Sequence, residues 1–242
     1  LSTAKTAAVS TTAMPHLHDD GHGLFIGVEA NIGAGKTEFC HMLCRVRQQY
    51  DGNCQALLEP VGKPRFKKLL GDYYVDPKRW GFAFQMYALN ERFRQHTLAS
   101  ELVASGTSVV QDRTIYADGC FGLAVLEDGN MTEDEWGIYT ASFASLKRFL
   151  RYPDVMIYLR TDPAVCLERM KRRARTEECK VPLEYLQRIH QKHETYMSEM
   201  ASYTRVLTVE WNQFGSDVEE INTRVNEIAG EARRFLRDFR RI

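Results

Sequence analysis

The sequence predicts an α/β fold in which helices cover a parallel β-sheet. Three observations carry this reading. Short apolar runs alternate with longer stretches of helical period, the order a strand–helix–strand chain produces. A glycine-rich loop ending in Lys-Thr separates the first apolar run from the first helical stretch. The composition is that of a globular domain, 44% hydrophobic over 242 residues, without an internal repeat or an interdomain linker.

The expected strands are Leu24–Glu29, Gln55–Glu59, Ser108–Asp112, Val155–Leu159 and Arg205–Val209. After the first, Phe39, Leu43 and Val46 keep helical spacing. After the second, Asp76-Pro77 reads as a cap with a first-turn proline and opens a long helix to about Ser105. A helix follows Arg113, and Thr132 with Glu135 forms a capping-box pattern that starts another, running through Phe149. Asp162-Pro163 and Pro182 open two more. The last helix is expected from Asp217, with Ile221, Val225, Ile228, Phe235 and Phe239 as its apolar stripe. Its arginines (Arg233, Arg234, Arg237, Arg240 and Arg241) read as a solvated face. Residues 24–242 are thus expected to form one domain.

Composition excludes several functions. Lys+Arg 32 balances Asp+Glu 32, so no global field favours nucleic acid or an anionic membrane, and any polyanion site is local. No stretch approaches the roughly 18 apolar residues of a membrane span. The six cysteines lie far apart without a CxxC pair, which fits free thiols in a reducing compartment. Residues 1–23 are small, polar and aperiodic, and read as a disordered tail. The opening Leu suggests a processed, truncated or engineered start. This segment lacks Arg and contains Asp19 and Asp20, which weighs against a transit peptide. A cytoplasmic location is expected, with mitochondrion and nucleus left open.

Ala30-Asn31-Ile32-Gly33-Ala34-Gly35-Lys36-Thr37 follows a strand and opens a helix, the setting of a Walker A loop. Small residues let backbone N–H groups curl around phosphate oxygens, and the helix N-terminus adds a positive dipole end. Lys36 would reach the β- and γ-phosphates of a nucleoside triphosphate, and the Thr37 hydroxyl would bind magnesium. Ala30 stands where the stricter pattern has Gly. It is tolerated if its backbone avoids positive φ.

Four further segments decide what receives the phosphate. They are Glu59-Pro60-Val61 at a strand end, the run from Tyr74 through Trp80, Phe84 and Gln85 to Arg92, Asp112-Arg113-Thr114 with Asp118, and the Arg169–Leu186 stretch. A hydroxyl acceptor is a poor nucleophile and needs a carboxylate to orient it and take its proton. Glu59 is the first choice, and Asp112, near the loop, can hold magnesium or its waters. Which of the two takes the proton stays open. Gln85 can offer a donor and an acceptor to the edge of a base, and Phe84 a face. Arg92 lies two turns beyond Gln85 on the same helix face, and a buried arginine there needs a partner, for which Asp118 is the candidate.

With these motifs in this order, residues 24–214 resemble the deoxynucleoside kinases, the family of deoxycytidine, deoxyguanosine and insect multisubstrate kinases. The resemblance implies a P-loop kinase fold with a five-stranded parallel sheet, a homodimer, and a mobile lid rich in arginine. It implies transfer of the ATP γ-phosphate, with Mg2+, to the 5′-hydroxyl of a deoxynucleoside in nucleotide salvage. Glu59 matches the family's base. Arg113 would neutralise the transferring phosphoryl, and the lid would supply Arg169, Arg173 and Arg175, with Arg169 over the ATP base. Tyr74 and Glu178 resemble the pair that grips the sugar 3′-hydroxyl. Arg92 with Asp118 resembles the kinases of deoxycytidine and deoxyguanosine, so purine deoxynucleosides or deoxycytidine are favoured over thymidine. Gln213 and Phe214 resemble the loop bordering the ATP base, one residue short.

Two departures from the family pattern stand out. Asp112 replaces the commoner Glu, and the base-stacking Phe comes one residue early, as Phe121, leaving Gly122 in its place. Two other readings compete. A nucleoside monophosphate kinase of the thymidylate kinase type would need extra cations for the acceptor's phosphate, and Glu59-Pro60-Val61 stands where arginine is wanted. A non-catalytic kinase-like subunit would be expected to lose Lys36, Glu59 or Arg113, and all three are present.

Overall fold

The computed structural model describes residues 23–175, 178, 181–213 and 218–227. The expected tail up to residue 22, Glu177, Phe214, Asp217, and the terminal stripe and arginines from Ile228 onward lie outside the described residues.

Five strands form one parallel sheet in the order β2-β3-β1-β4-β5. They are β1 (Phe25–Ala30), β2 (Cys54–Leu57), β3 (Ser108–Asp112), β4 (Val155–Arg160) and β5 (Arg205–Glu210). Between them run α1 (Lys36–Asp51), α2 (Pro64–Val75), α3 (Pro77–Ala104), α4 (Asp118–Glu127), α5 (Glu133–Lys147), α6 (Pro163–Arg173) and α7 (Leu183–Met200), and residues 218–227 are helical. β1 lies at the centre, with Val28 level with Asp112 of β3 and Ile157 of β4. Chain order reverses on either side of β1. Ligands of open α/β sheets bind at such a switch point, beyond the strands' carboxyl ends.

Alternation along β1 explains the layering. Ile26, Val28 and Ala30 pack with Phe39 and Leu43 of α1, Val110, Ile157 and Leu207. Phe25 faces the other side, with Ala99 and Val103 of α3 and Val109. All six β1 residues are buried, as expected for a strand covered on both faces.

The helix starts obey local chemistry. Asp76 caps α3 by accepting from Arg79 N at 3.2 Å, and Asp162 caps α6 by accepting from Ala164 N at 2.7 Å. Thr132 and Glu135 form the reciprocal capping box of α5. Two elements differ from expectation. β2 ends at Leu57, because Leu58 turns its carbonyl to Gln95 Nε2 at 2.5 Å and Pro60 has no N–H for a ladder. Glu59 therefore sits on a loop two residues beyond the strand. The helix α2 belongs to no expected element, although Phe66, Leu69, Leu70 and Tyr73 keep helical spacing and Pro64 opens it.

Candidate active site

One cleft of about 400 Å³ opens beyond the carboxyl ends of the central strands. It is lined by Gly33, Gly35, Lys36 and Thr37, by Arg169, Arg172, Arg173 and Arg175, by Tyr74, Phe84, Gln85, Arg92 and Phe121, and by Glu59, Asp112 and Arg113.

The loop after β1 takes the shape its glycines allow. Gly33 and Gly35 have φ of 81° and 95°. A Cβ on Gly33 would also meet Cys166 O at 2.5 Å. Ala30 ends β1 as extended backbone and is not among the positive-φ residues, so the alanine carries no strain. Asn31 ties the loop to α7, its Nδ2 donating to Leu186 O at 2.8 Å. Ile32 lines the cleft, whereas Ala34 is fully buried. Lys36 is buried, and burial, followed by Arg113 nearby, pushes its pKa down against the pull of Asp112, Glu59 and Glu29.

Thr37 Oγ1 donates to Asp112 Oδ2 at 2.7 Å, and Lys36 Nζ lies 4.0 Å from Asp112 Oδ1. Asp112 Oδ1 is buried without a hydrogen-bond partner among the described residues. A hydroxyl and a carboxylate side by side at a phosphate loop are hard oxygen donors that suit Mg2+, which uses few protein ligands and completes its shell with phosphates and water. No group of three or more His, Cys, Asp or Glu able to hold a metal occurs among the described residues.

Arg113 is buried with a φ of 62°, one of two non-glycine residues in the left-handed region among the described residues. Such strain persists only where surroundings over-determine it. Arg113 N donates to Val28 O at 3.0 Å. Glu29 Oε1 accepts from both Thr114 N at 2.6 Å and Thr114 Oγ1 at 2.8 Å. The guanidinium reaches Glu59 Oε1 at 3.3 Å and Glu29 Oε2 at 3.8 Å, and lies over the Phe121 ring at 4.3 Å. Burial would lower the pKa of Arg113, but Glu59, Glu29 and Asp112 outweigh it and hold the charge.

Glu59 Oε1 also accepts from Arg92 Nη2 at 2.6 Å. Burial raises the Glu59 pKa, but Arg113, Arg92 and Lys36 prevail and bring it down to about 2. Glu59 is thus ionised at neutral pH. Arg92 Nη1 pairs with Asp118, the acid expected to partner a buried arginine there. Asp118 is fully buried, one layer behind Arg92, and is not in the cleft wall. Gln85 is 3% exposed, and its Oε1 has no hydrogen-bond partner among the described residues. Phe84 stacks on Tyr73 and meets Phe66 edge-on.

The cationic side is laced together in this structure. Arg169 Nη1 donates to Ala34 O at 2.8 Å and Nη2 to Asn212 O at 2.9 Å, so it joins the phosphate loop to the segment after β5. Arg173 pairs with Glu178, and Arg175 Nη1 lies 3.3 Å from the same carboxylate. Tyr74 and Glu178 both line the cleft. Gln213 is exposed and outside it.

Sequence reasoning missed Glu29, Tyr73, Tyr185 and Phe66. An acid inside an apolar strand, just before the phosphate loop, was the signal for Glu29. Tyr73 and Phe66 come with α2, and Tyr185 reaches the cleft from α7.

A parallel sheet whose central strand leads into a phosphate loop, facing an acid across a nucleoside-sized cleft, defines a P-loop phosphotransferase. A sequence model of the deoxynucleoside kinase family matches residues 26–236. The chain is 34% identical to a deoxyadenosine kinase of Dictyostelium discoideum, over 79% of this chain and 74% of the relative. It is 32% identical to a probable deoxycytidine kinase of fowlpox virus, over 81% of this chain and 82% of that protein. It is also 32% identical to a mitochondrial deoxyguanosine kinase of Xenopus laevis, over 72% and 73%. The chain belongs to the deoxynucleoside kinase family and uses ATP as phosphate donor.

Proposed function

We propose that the chain transfers the γ-phosphoryl group of ATP to the 5′-hydroxyl of a deoxynucleoside, with deoxyadenosine, deoxyguanosine or deoxycytidine preferred over thymidine. The observation that carries this reading is that Glu59 and Lys36 line one cleft together with Gln85, whose amide oxygen has no hydrogen-bond partner among the described residues.

Glu59 accepts a hydrogen bond from the 5′-hydroxyl and aims it at the phosphoryl group. A carboxylate with a pKa of about 2 is a weak base, so orientation is its main task. It takes the proton late, as the 5′-oxygen bonds to the γ-phosphorus and the bond from that phosphorus to the departing ADP breaks. Asp112 is engaged by Thr37, which supports Glu59 over Asp112 as the proton acceptor. Thr37 and Asp112 would hold Mg2+, which when bound neutralises charge on the β- and γ-phosphates. Lys36 and Arg113 place positive charge on either side of the transferring group. Arg173 and Arg175 exchange Glu178 for phosphate as the lid closes, leaving Glu178 with Tyr74 to hold the 3′-hydroxyl.

Gln85 offers an acceptor to an exocyclic amine and a donor to a ring nitrogen. Arg92, fixed between Glu59 and Asp118, presents a charged edge that disfavours the thymine methyl. The relatives named for deoxyadenosine, deoxycytidine and deoxyguanosine agree with that preference. Arg92 is engaged by two acids, Glu59 and Asp118, and so is not offered to an acceptor's own phosphate, which supports a nucleoside over a monophosphate as acceptor. A homodimer, as the family resemblance implies, is part of this proposal.

The test is a panel. The purified chain with ATP and Mg2+ is given each of the four deoxynucleosides and each of their monophosphates. At least one deoxynucleoside is converted, with thymidine poorest, and no monophosphate is. Turnover of monophosphates alone would overturn the reading.

A further inference from the structure

Tyr139 is not among the residues lining the cleft, yet it is bonded to Asp118, the partner of the cleft's Arg92. Its hydroxyl donates to Asp118 Oδ2 at 2.5 Å, and both side chains are buried. Burial keeps the phenol far from ionising, so it acts as a donor. The other oxygen of Asp118 pairs with Arg92, and Arg92 in turn bonds Glu59. A buried carboxylate holding a single cation has an oxygen to spare, and without a second donor it would turn or shift. Tyr139 removes that freedom.

Gly122 explains how Tyr139 gets there. A Cβ at Gly122 would lie 2.9 Å from Tyr139 Cε1 and 3.0 Å from both Tyr139 Cζ and Trp136 Cζ3. The Tyr139 ring is stacked on Trp136 at 5.3 Å and crosses α4 over the bare backbone of residue 122. Any side chain at 122 would push the α5 ring away from Asp118. Phe121, the residue before Gly122 on α4, lines the cleft.

We propose that Tyr139, admitted by Gly122, is a positioning residue for base selectivity: it fixes Asp118, and through Asp118 the Arg92 edge that the base meets. This rests on the deoxynucleoside kinase reading above. Asp118 and Tyr139 act only through Arg92, and neither reaches the ATP side.

Tyr139→Phe keeps the ring and its stacking and removes only the hydroxyl. The ratio of kcat/KM between the best and the poorest of the four deoxynucleosides should fall about tenfold, the loss expected for one hydrogen bond to a charged group. The KM for ATP should change by less than about twofold. Gly122→Ala, which displaces the ring without touching the hydroxyl, should narrow the ratio in the same direction. An unchanged ratio in Tyr139→Phe, or a loss spread equally over all four nucleosides and ATP, overturns the positioning role. An unchanged ratio in Gly122→Ala overturns the part assigned to the glycine. If the parent chain converts no deoxynucleoside, the functional reading itself has failed, which the parent control shows before either variant is assayed.

Discussion

Arg113 and Glu59 are held by the same set of charges, and neither can be altered without the other. Arg113 occupies a left-handed backbone conformation because Val28 and, through Thr114, Glu29 pin the turn around it. That pinning directs its guanidinium at Glu59 and away from bulk water. Glu59 consequently has a pKa of about 2, below the ordinary glutamate value of 4.5. A depressed folded-state pKa stabilises the fold above the unfolded value, and that contribution is lost as the pH falls toward 2. Burial is the largest influence on Glu59 and acts upward; Arg113 is the first of the cations opposing it. Arg113→Ala should therefore lower kcat by about 10³ or more and move the acid limb of kcat/KM to higher pH than in the parent. The titration of ATP is common to both proteins, so the difference between the two profiles reports Glu59. An acid limb at the same pH in both would show that Arg113 does not set the ionisation of Glu59. The pairing of Arg92 with Asp118 was legible because a buried arginine needs an acid as partner. Tyr139 and Glu29 were not, because their roles come from packing between elements distant in sequence.

At the scale of elements, the phosphate loop depends on α6. Gly33 has a φ of 81°, and a Cβ there would meet Cys166 O at 2.5 Å and Met170 Cγ at 2.6 Å, both on α6. The loop and the helix that carries Arg169 are thus packed backbone to backbone. Gly33→Ala should raise the KM for ATP at least about tenfold while the KM for the deoxynucleoside stays within about twofold, measured by varying each substrate in turn. An unaffected KM for ATP would contradict the tight packing of loop on α6. The starts of α3, α5 and α6 were readable because their caps are local chemistry: Asp76, Thr132 with Glu135, and Asp162 act within a turn. The end of β2 was not, since it is set by Gln95 of α3 capturing the Leu58 carbonyl. α2 went unread beside the stronger Asp76-Pro77 signal, although it supplies Phe66, Leu70, Tyr73 and Tyr74 to the cleft.

Over the whole molecule, the strand order brings together residues that lie far apart in the chain. β1 between β3 and β4 sets the phosphate loop beside Asp112 and Arg113, and β2 at the sheet's edge carries the chain to Glu59. The number of strands and their positions were readable from apolar runs, and the parallel arrangement from the helices between them. The depth of the acceptor side was not, because it is built by α2 and α3 folding over Glu59. In the proposed reaction Glu59, lining one cleft with the phosphate loop, is the acid that prepares the acceptor. Transfer of label from γ-labelled ATP to the preferred deoxynucleoside, in parent chain and Glu59→Gln, tests it most directly. The parent should yield labelled 5′-monophosphate, and the variant should show a fall of about 10² or more in kcat with an unchanged KM for ATP. Equal kcat in the two proteins would contradict that role for Glu59.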